Sequence, residues 1–120
     1  MNYKGSCHCG NVTFEVEGDL TGVMACNCSL CSRKGALLWF VSRDKLTVLT
    51  PEESIGTYTF NKHVIKHRFC RTCGIHSFYV PRSHPDKIDV NVRTLDGIDL
   101  TQIRPIPFDG QNWEAARAAL

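Results

Sequence analysis

Seven cysteines in three clusters constrain the fold of this chain more than any other feature of its sequence. The clusters are Cys7-His8-Cys9, Cys26-Asn27-Cys28-Ser29-Leu30-Cys31 and Cys70-Arg71-Thr72-Cys73. The first residues lack the apolar core of a secretory signal peptide, so we expect a cytoplasmic protein whose thiols stay reduced. In a reducing compartment, clustered cysteines are typical of metal binding or catalysis, and an odd number also argues against complete disulfide pairing.

The first and third clusters supply two sulfurs each and predict a closed metal site. Residues two apart on a strand point to the same face, so we expect Cys7 and Cys9 to present their sulfurs to one ion. Cys70 and Cys73 form a CxxC knuckle, in which Gly74 lets the backbone turn tightly around the metal. Four thiolates complete the tetrahedral ligand set of a structural zinc. Such a site would join segments more than 60 residues apart in the sequence.

The middle cluster, CxCxxC, provides three thiols within six residues and predicts an open metal site. Three protein ligands with a free fourth position are the ligand count of a catalytic zinc, here Cys26, Cys28 and Cys31. Four and three ligands together account for all seven cysteines. Three alternatives remain: disulfides or inert buried cysteines, an iron–sulfur cluster, or a second structural zinc closed by His76 or His8.

The rest of the sequence predicts a mainly β single domain that covers residues 1–120. A chain of 120 residues with 42% apolar residues can bury one hydrophobic core. Short apolar runs with a period of two end at glycines and prolines, which is typical of strands. The runs lie at residues 12–16, 46–48, 55–60 and 88–92. The tail at residues 112–120 has a helical pattern, and it is too short to persist without docking on the body of the domain.

Charge and hydropathy indicate neither a nucleic acid nor a membrane as a partner. The net charge of +2 is too small to indicate a nucleic acid or an anionic membrane. The longest apolar run covers only residues 36–41, far short of the roughly 20 residues that span a bilayer. The basic segment at residues 62–68 is explained equally well as a strand with one solvated face, so it does not establish nucleic-acid binding.

Three motifs, GSCHCGNVTF, CNCSLCSRKG and FCRTCGIHSFY, resemble in order and spacing those of the glutathione-dependent formaldehyde-activating enzyme family. The later stretches YVPRSHPDKIDVNVRTLDG and PFDGQNWEAA look like its centromere-protein-V-like branch, which includes chromosome-associated proteins. The resemblance implies a β-tent (Mss-four-like) fold with a structural and a catalytic zinc. It assigns the structural ion to Cys7, Cys9, Cys70 and Cys73 and the catalytic ion to Cys26, Cys28 and Cys31. The implied activity joins formaldehyde to glutathione as S-hydroxymethylglutathione, formally a carbon–sulfur lyase reaction in reverse.

An open zinc with three thiolates suits a thiol substrate. Three thiolates leave Zn²⁺ with one net negative charge, which makes bound water harder to ionise, whereas a thiol ionises far more readily than water. We therefore expect a small thiol such as glutathione as co-substrate and a small carbonyl compound as its partner. His76 and Tyr79 are candidate proton donors to the new oxygen, and Arg33 and Lys34 are candidates for offsetting the charge or binding a substrate carboxylate. No specific signal attaches to three other histidines: His63, His67 and His84.

Two other functions fit the same constellation of cysteines. A zinc-stabilised binding module for protein or nucleic acid would use both ions structurally. A thiol or zinc redox sensor would release metal when the CxCxxC segment is oxidised. An exchangeable fourth ligand would distinguish an enzyme from a closed module. The sequence does not indicate which oligomeric state the protein adopts.

Overall fold

The computed structural model of the chain describes residues 1–60, 65–81 and 86–118, and within them short strands dominate. The prediction of a mainly β fold with a short C-terminal helix is confirmed. The α-helices of the described residues are α1 (Cys31–Lys34) and α2 (Trp113–Ala118). The strands are β1 (Asn2–Ser6), β2 (Thr13–Glu17), β3 (Met24–Cys26), β4 (Leu38–Ser42), β5 (Leu46–Val48), β6 (Ile55–Tyr58), β7 (His67–Cys70), β8 (His76–Tyr79), β9 (Lys87–Asn91) and β10 (Ile106–Phe108).

These strands form two sheets. The small sheet has the order β1-β2-β5, and the large sheet has the order β10-β3-β4-β9-β8-β7-β6. Neighbouring strands pair antiparallel, except that β10 pairs parallel to β3. In this parallel pair Phe108 lies opposite Cys26, so the C-terminal part of the chain runs beside the entrance to the CxCxxC segment.

The main hydrophobic core lies between the two sheets. On β2, Phe14 and Val16 are almost completely buried, as expected for alternate residues of a strand with one face covered. The rings of Phe14 and Phe78 meet edge to face with centroids 5.7 Å apart, which joins the small sheet to β8. Burial of each large apolar side chain contributes about 1.5–3 kcal/mol. This core fixes one face of the large sheet.

The opposite face of the large sheet, here called the outer face, carries a second apolar cluster. On β4, Trp39 and Val41 belong to the core between the sheets, whereas Leu38 and Phe40 belong to the outer face. The outer cluster consists of the buried residues Met24, Cys31, Ala36 and Leu38 and, packed against them, Cys26, Cys28, Phe40, Tyr79 and Phe108. All three cysteines of the CxCxxC segment therefore lie on the outer face.

The predicted apolar runs and the predicted helix can be compared with the observed elements. The four runs contain or overlap β2, β5, β6 and β9. The predicted tail helix is observed from Trp113 to Ala118, and its last two predicted positions lie outside the described residues. Among the described residues, no helix combines the length and the apolar character that spanning a bilayer requires.

Cys7 and Cys9 do not lie on a strand, so this part of the prediction is wrong. β1 ends at Ser6, and in the turn that follows the N–H of Cys7 donates to the Val12 carbonyl at 3.0 Å. An extended strand would separate side chains two residues apart by about 6.6 Å. A tetrahedral zinc with bonds of about 2.3 Å needs sulfurs about 3.8 Å apart. The chain must therefore bend at this cluster, and Gly10, with a φ of 85°, allows the bend.

Candidate metal centres

The structure brings together the four sulfurs assigned to the closed site, those of Cys7, Cys9, Cys70 and Cys73. All four lie within 4.8 Å of one another. The Sγ atoms of Cys7 and Cys9 are 3.7 Å apart, and those of Cys9 and Cys70 are 3.6 Å apart. These separations match the edge of about 3.8 Å of a zinc–sulfur tetrahedron and far exceed the S–S bond of about 2 Å in a disulfide. The four residues fit a closed zinc site.

Backbone N–H groups point at the sulfurs of this four-cysteine centre. The Cys70 sulfur accepts from the N–H groups of Thr72 at 3.3 Å and Cys73 at 3.4 Å. The N–H group of Cys73 is the largest cause that lowers the pKa of Cys70. Hydrogen bonds from the N–H groups of Cys9 and Ile75 lower the pKa of Cys73 to about 6. The surroundings of Cys70 and Cys73 thus favour the thiolate, which is the form that binds metal. The N–H of Asn11 lowers the pKa of Cys9, but desolvation and the neighbouring thiols outweigh it and raise this pKa to about 11.

The four-cysteine centre joins the two sheets. Two of its cysteines lie in the turn between β1 and β2, and the other two lie at the end of β7 and in the turn to β8. Across the same joint, Asn11 Nδ2 donates to Thr72 Oγ1 at 3.0 Å. Metal bound here would hold the small sheet against the large one, so its binding free energy would contribute to folding.

The second candidate centre consists of Cys26, Cys28 and Cys31, whose sulfurs also lie within 4.8 Å of one another. The N–H of Cys28 donates to the Cys26 sulfur at 3.5 Å, and the N–H of Cys31 donates to the Cys28 sulfur at 3.3 Å. Within the described ranges, no histidine, cysteine or carboxylate adds a fourth ligand atom to this group. The alternative in which His8 or His76 closes the centre therefore has no support from the geometry.

The segment after β10 packs over the CxCxxC loop and is held there by Asn27. The Asn27 side chain donates from Nδ2 to Asp109 Oδ1 at 3.0 Å and accepts at Oδ1 from the N–H of Gln111 at 3.1 Å. The backbone N–H of Asn27 donates to the Phe108 carbonyl at 3.2 Å. The backbone and the side chain of Asn27, which lies between Cys26 and Cys28, are thus both fixed by the C-terminal part of the chain.

Gly110 lies against this centre with no room for a side chain. A Cβ at this position would come within 2.5 Å of Cys26 Sγ and 2.8 Å of Cys28 Cβ. We expect Gly110→Ala to displace the loop at a cost of about 1–3 kcal/mol, typical of overpacking. The metal affinity of the three-cysteine centre should then fall about tenfold to a hundredfold, while the four-cysteine centre keeps its affinity.

Competition with a chromophoric chelator measures both affinities in one titration of Gly110→Ala. Gln111→Ala is the matched control, because it changes an exposed side chain and keeps the backbone N–H that binds Asn27. Wild-type affinity at both centres in Gly110→Ala would contradict the tight packing of this glycine on the cysteines.

The two basic residues of α1, Arg33 and Lys34, have different surroundings. Arg33 is exposed, and its guanidinium donates to the Ser29 carbonyl at 2.7 Å. Lys34 is partly buried, and its ammonium lies 4.7 Å from the centroid of the Tyr79 ring. Burial lowers the pKa of Lys34, and the three nearby cysteines and a carboxylate oppose this shift. Lys34, rather than Arg33, is thus placed to offset the charge of the three-cysteine centre.

The candidate proton donors Tyr79 and His76 both lie on β8. Tyr79 packs against the outer cluster that contains the cysteines, and burial raises its pKa well above the usual value. A β-bulge brings His76 onto the outer face, where Tyr79 lies. The pairing with β7 passes from Phe78 directly to His76 and skips Ser77, so the alternation of faces shifts by one residue. Burial lowers the pKa of His76 to about 4, so its ring is neutral near pH 7 and offers only a neutral N–H.

Sequence reasoning missed two residues beside this centre, Asp89 and His67. Asp89 on β9 pairs with Tyr79 and is fully buried, and His67 on β7 pairs with Tyr79 from the other side with ring centroids 4.9 Å apart. Burial raises the pKa of Asp89 to about 8 and lowers that of His67 to about 4. In the alternating run at residues 88–92, position 89 is expected to face solvent. Two further histidines lie outside the described residues: His63 and His84.

Comparison with known proteins places these centres in a family. The sequence model of the glutathione-dependent formaldehyde-activating enzyme matches residues 2–111, which is most of the chain. The crystal structure of a Rhodobacter sphaeroides protein is similar to this one, with a TM-score of 0.80 and 38% sequence identity, covering 87% of this chain and 97% of that chain. The assignment to a centromere-protein-V-like branch stays a prediction. The chain belongs to the glutathione-dependent formaldehyde-activating enzyme family.

Proposed function

We propose that the protein is a zinc-dependent carbon–sulfur lyase that forms or cleaves an adduct between a small thiol and a small carbonyl compound. Glutathione and formaldehyde are the proposed pair, and membership in the family supports them. The observation that carries the proposal is the group of three convergent sulfurs with no fourth ligand atom among the described residues. A reaction that consumes a free thiol agrees with a reducing compartment, so we place the protein in the cytoplasm.

The sulfur donors of both centres suit zinc, which accepts three or four thiolates. In this proposal Cys7, Cys9, Cys70 and Cys73 hold a structural ion, and the three cysteines of the CxCxxC segment hold a second one. When bound at the three-cysteine centre, zinc would supply a soft Lewis-acid position at which a substrate thiol ionises.

The residues around the three-cysteine centre have separate tasks in this reaction. Lys34 offsets negative charge beside the cysteines, and Arg33 on the exposed side of α1 is the candidate for binding a substrate carboxylate. When sulfur attacks the carbonyl carbon, the C=O electron pair moves to oxygen, which must be protonated. Tyr79 is the proposed donor, and His76 is a candidate for a second, neutral hydrogen bond to that oxygen.

NMR exchange spectroscopy of mixtures of formaldehyde and glutathione tests the lyase function directly. We expect the zinc-loaded protein to accelerate exchange between the free compounds and their adduct, since the reaction also proceeds slowly without a catalyst. Cys28→Ser should lose at least about a hundredfold of this acceleration, and circular dichroism should show that the variant is folded. Equal exchange rates with and without the zinc-loaded wild-type protein would contradict the proposed function.

A further inference from the structure

A row of side chains crosses the outer face beside the three-cysteine centre. Residues that pair directly on neighbouring strands lie side by side on the same face of a sheet. The observed pairs join β4, β9, β8, β7 and β6 in this order. The row consists of Phe40, Asp89, Tyr79, His67 and Tyr58. It leads from the apolar cluster around the cysteines to the edge of the sheet, where Tyr58 is 48% exposed.

Asp89 is the one carboxylate in this row. It is 0% exposed, and neither of its carboxylate oxygens has a hydrogen-bond partner of good geometry among the described residues. The groups that face it are the Tyr79 hydroxyl from β8, the Lys34 ammonium from α1 and the N–H of Trp39 from β4. A buried carboxyl with so few partners disfavours folding, and such groups are typical of functional sites.

Taking the lyase function above as the starting point, we propose that Asp89 is a positioning residue that holds the Tyr79 hydroxyl and exchanges a proton through it with the reacting atoms. Asp89 cannot touch a substrate itself, because it is fully buried. Tyr79 is partly exposed and packs against the cluster that contains the three cysteines, so its hydroxyl can connect the two.

One proton is sufficient for the whole reaction. When the thiol binds to the form in which Asp89 is ionised, its S–H proton passes through the Tyr79 hydroxyl to the Asp89 carboxylate. Below about pH 8, where Asp89 is already protonated, the S–H proton leaves to solvent and the carboxyl proton serves the next step. When the sulfur forms a bond to the carbonyl carbon, the C=O electron pair moves to the oxygen, and the proton returns by the same path to that oxygen. The product is the hemithioacetal, and Asp89 is again ionised. Cleavage of the adduct runs the same transfers in reverse, so no additional reactant is consumed.

The electrostatics of the row agree with this role. Burial raises the pKa of Asp89 to about 8, although the Tyr79 hydroxyl and the Lys34 ammonium lower it. A group that titrates near the working pH can both accept and donate a proton. Burial lowers the pKa values of His67 and His76 to about 4, and Lys34 adds to the effect, so neither ring carries an extra proton near pH 7.

The first test compares the kinetics of zinc-loaded wild type and Asp89→Asn. Asparagine keeps the size of the side chain and can hold Tyr79, but it cannot exchange a proton. We expect kcat for adduct formation to fall about a hundredfold, as for loss of general acid–base catalysis, with KM for the thiol changed less than about twofold. Wild-type kcat should fall as pH rises through about 8, since the protonated carboxyl is the donor. This fall should be absent in Asp89→Asn.

Matched variants separate this role from a general effect of substitution. Asp44→Asn changes an exposed aspartate and should leave kcat and its pH profile unchanged. Tyr79→Phe should lose about as much activity as Asp89→Asn, and the double variant should be no slower than the slower single variant, because both act on one proton. Additive losses, or a wild-type kcat and pH profile in Asp89→Asn, would overturn the inference.

Infrared titration tests the proton on Asp89 without catalysis. Ordinary carboxyl groups, with pKa values of about 4, are ionised by about pH 6. Wild type should therefore show one protonated-carboxyl C=O band above that pH, which disappears as pH rises through about 8 and is missing in Asp89→Asn. Absence of the band in wild type overturns the inference. If wild type gives the band but does not accelerate exchange, the lyase function fails while the assignment of the proton to Asp89 stands.

Discussion

Replacement of Cys70 by serine is expected to unfold most of the protein at room temperature. Cys70 is 1% exposed, belongs to the core between the sheets and has its sulfur 3.6 Å from that of Cys9. Its loss opens a centre of the kind whose metal contributes about 10 kcal/mol or more to the folding of small zinc domains. The total stability of a domain is only about 5–15 kcal/mol. The folded state of Cys70→Ser should therefore be a minor species.

Cys28→Ser is the matched control for Cys70→Ser, because it removes the same atom from the other centre. Its centre joins β3, α1 and the segment after β10, all on the outer face of the large sheet, so the two sheets should stay together. Thermal unfolding followed by circular dichroism, with metal analysis of each sample, measures both stabilities. Similar losses of stability in the two variants would contradict the division into one structural and one functional centre.

Affinity for glutathione at the three-cysteine zinc is expected to rise about tenfold per pH unit up to about pH 8.5 and then to level off. Below the pKa of the thiol, binding as a thiolate must release one proton, so higher pH favours binding. Above that pKa the free thiol is already ionised, and pH has no further effect. Between about pH 5.5 and 8.5 the affinity should change about a thousandfold. A titration series at constant ionic strength measures it, and an affinity independent of pH would exclude binding as a thiolate.

Lys34→Met and Arg33→Met test which cation supports the bound thiolate. A fourth thiolate adds negative charge beside Lys34, whose ammonium already interacts with the cysteines, whereas Arg33 donates to a backbone carbonyl on the surface. A charged partner contributes about 1.5–3 kcal/mol, so Lys34→Met should weaken thiol binding about tenfold to a hundredfold. A larger loss in Arg33→Met would instead assign the main anchoring contact to Arg33.

The cysteine pattern could be grouped from the sequence because metal ligands are few and each half-site is local. Cys70 and Cys73 belong to one CxxC knuckle, and the three cysteines of the CxCxxC segment lie within six consecutive residues. The prediction of a strand at Cys7 and Cys9 was wrong, and the residue spacing alone could not show why. Two sulfurs on one ion must lie closer together than the side chains of alternate residues on a strand. Metal geometry here overrides the local pattern.

The surroundings of the three-cysteine centre could not be predicted, because they depend on contacts between distant parts of the chain. Asn27 and Asp109 are 82 residues apart in the sequence, and the pairing of β10 with β3 brings them together. The alternating pattern of residues 88–92 predicts that Asp89 faces solvent. It is buried because other parts of the chain, among them Tyr79 and Lys34, pack over the outer face. The bulge that skips Ser77 changes the face of His76, which strict alternation cannot anticipate.

The absorption spectrum of the cobalt-substituted protein is the most direct test of an open three-cysteine centre. Sulfur-to-cobalt charge-transfer bands report the number of thiolates bound to each ion. With both centres loaded, we expect the intensity of seven thiolates, four at one ion and three at the other, and an increase of about one thiolate when glutathione is added. A spectrum that already reports four protein ligands at both ions, and that does not change with any thiol, would contradict the open centre and the lyase function built on it.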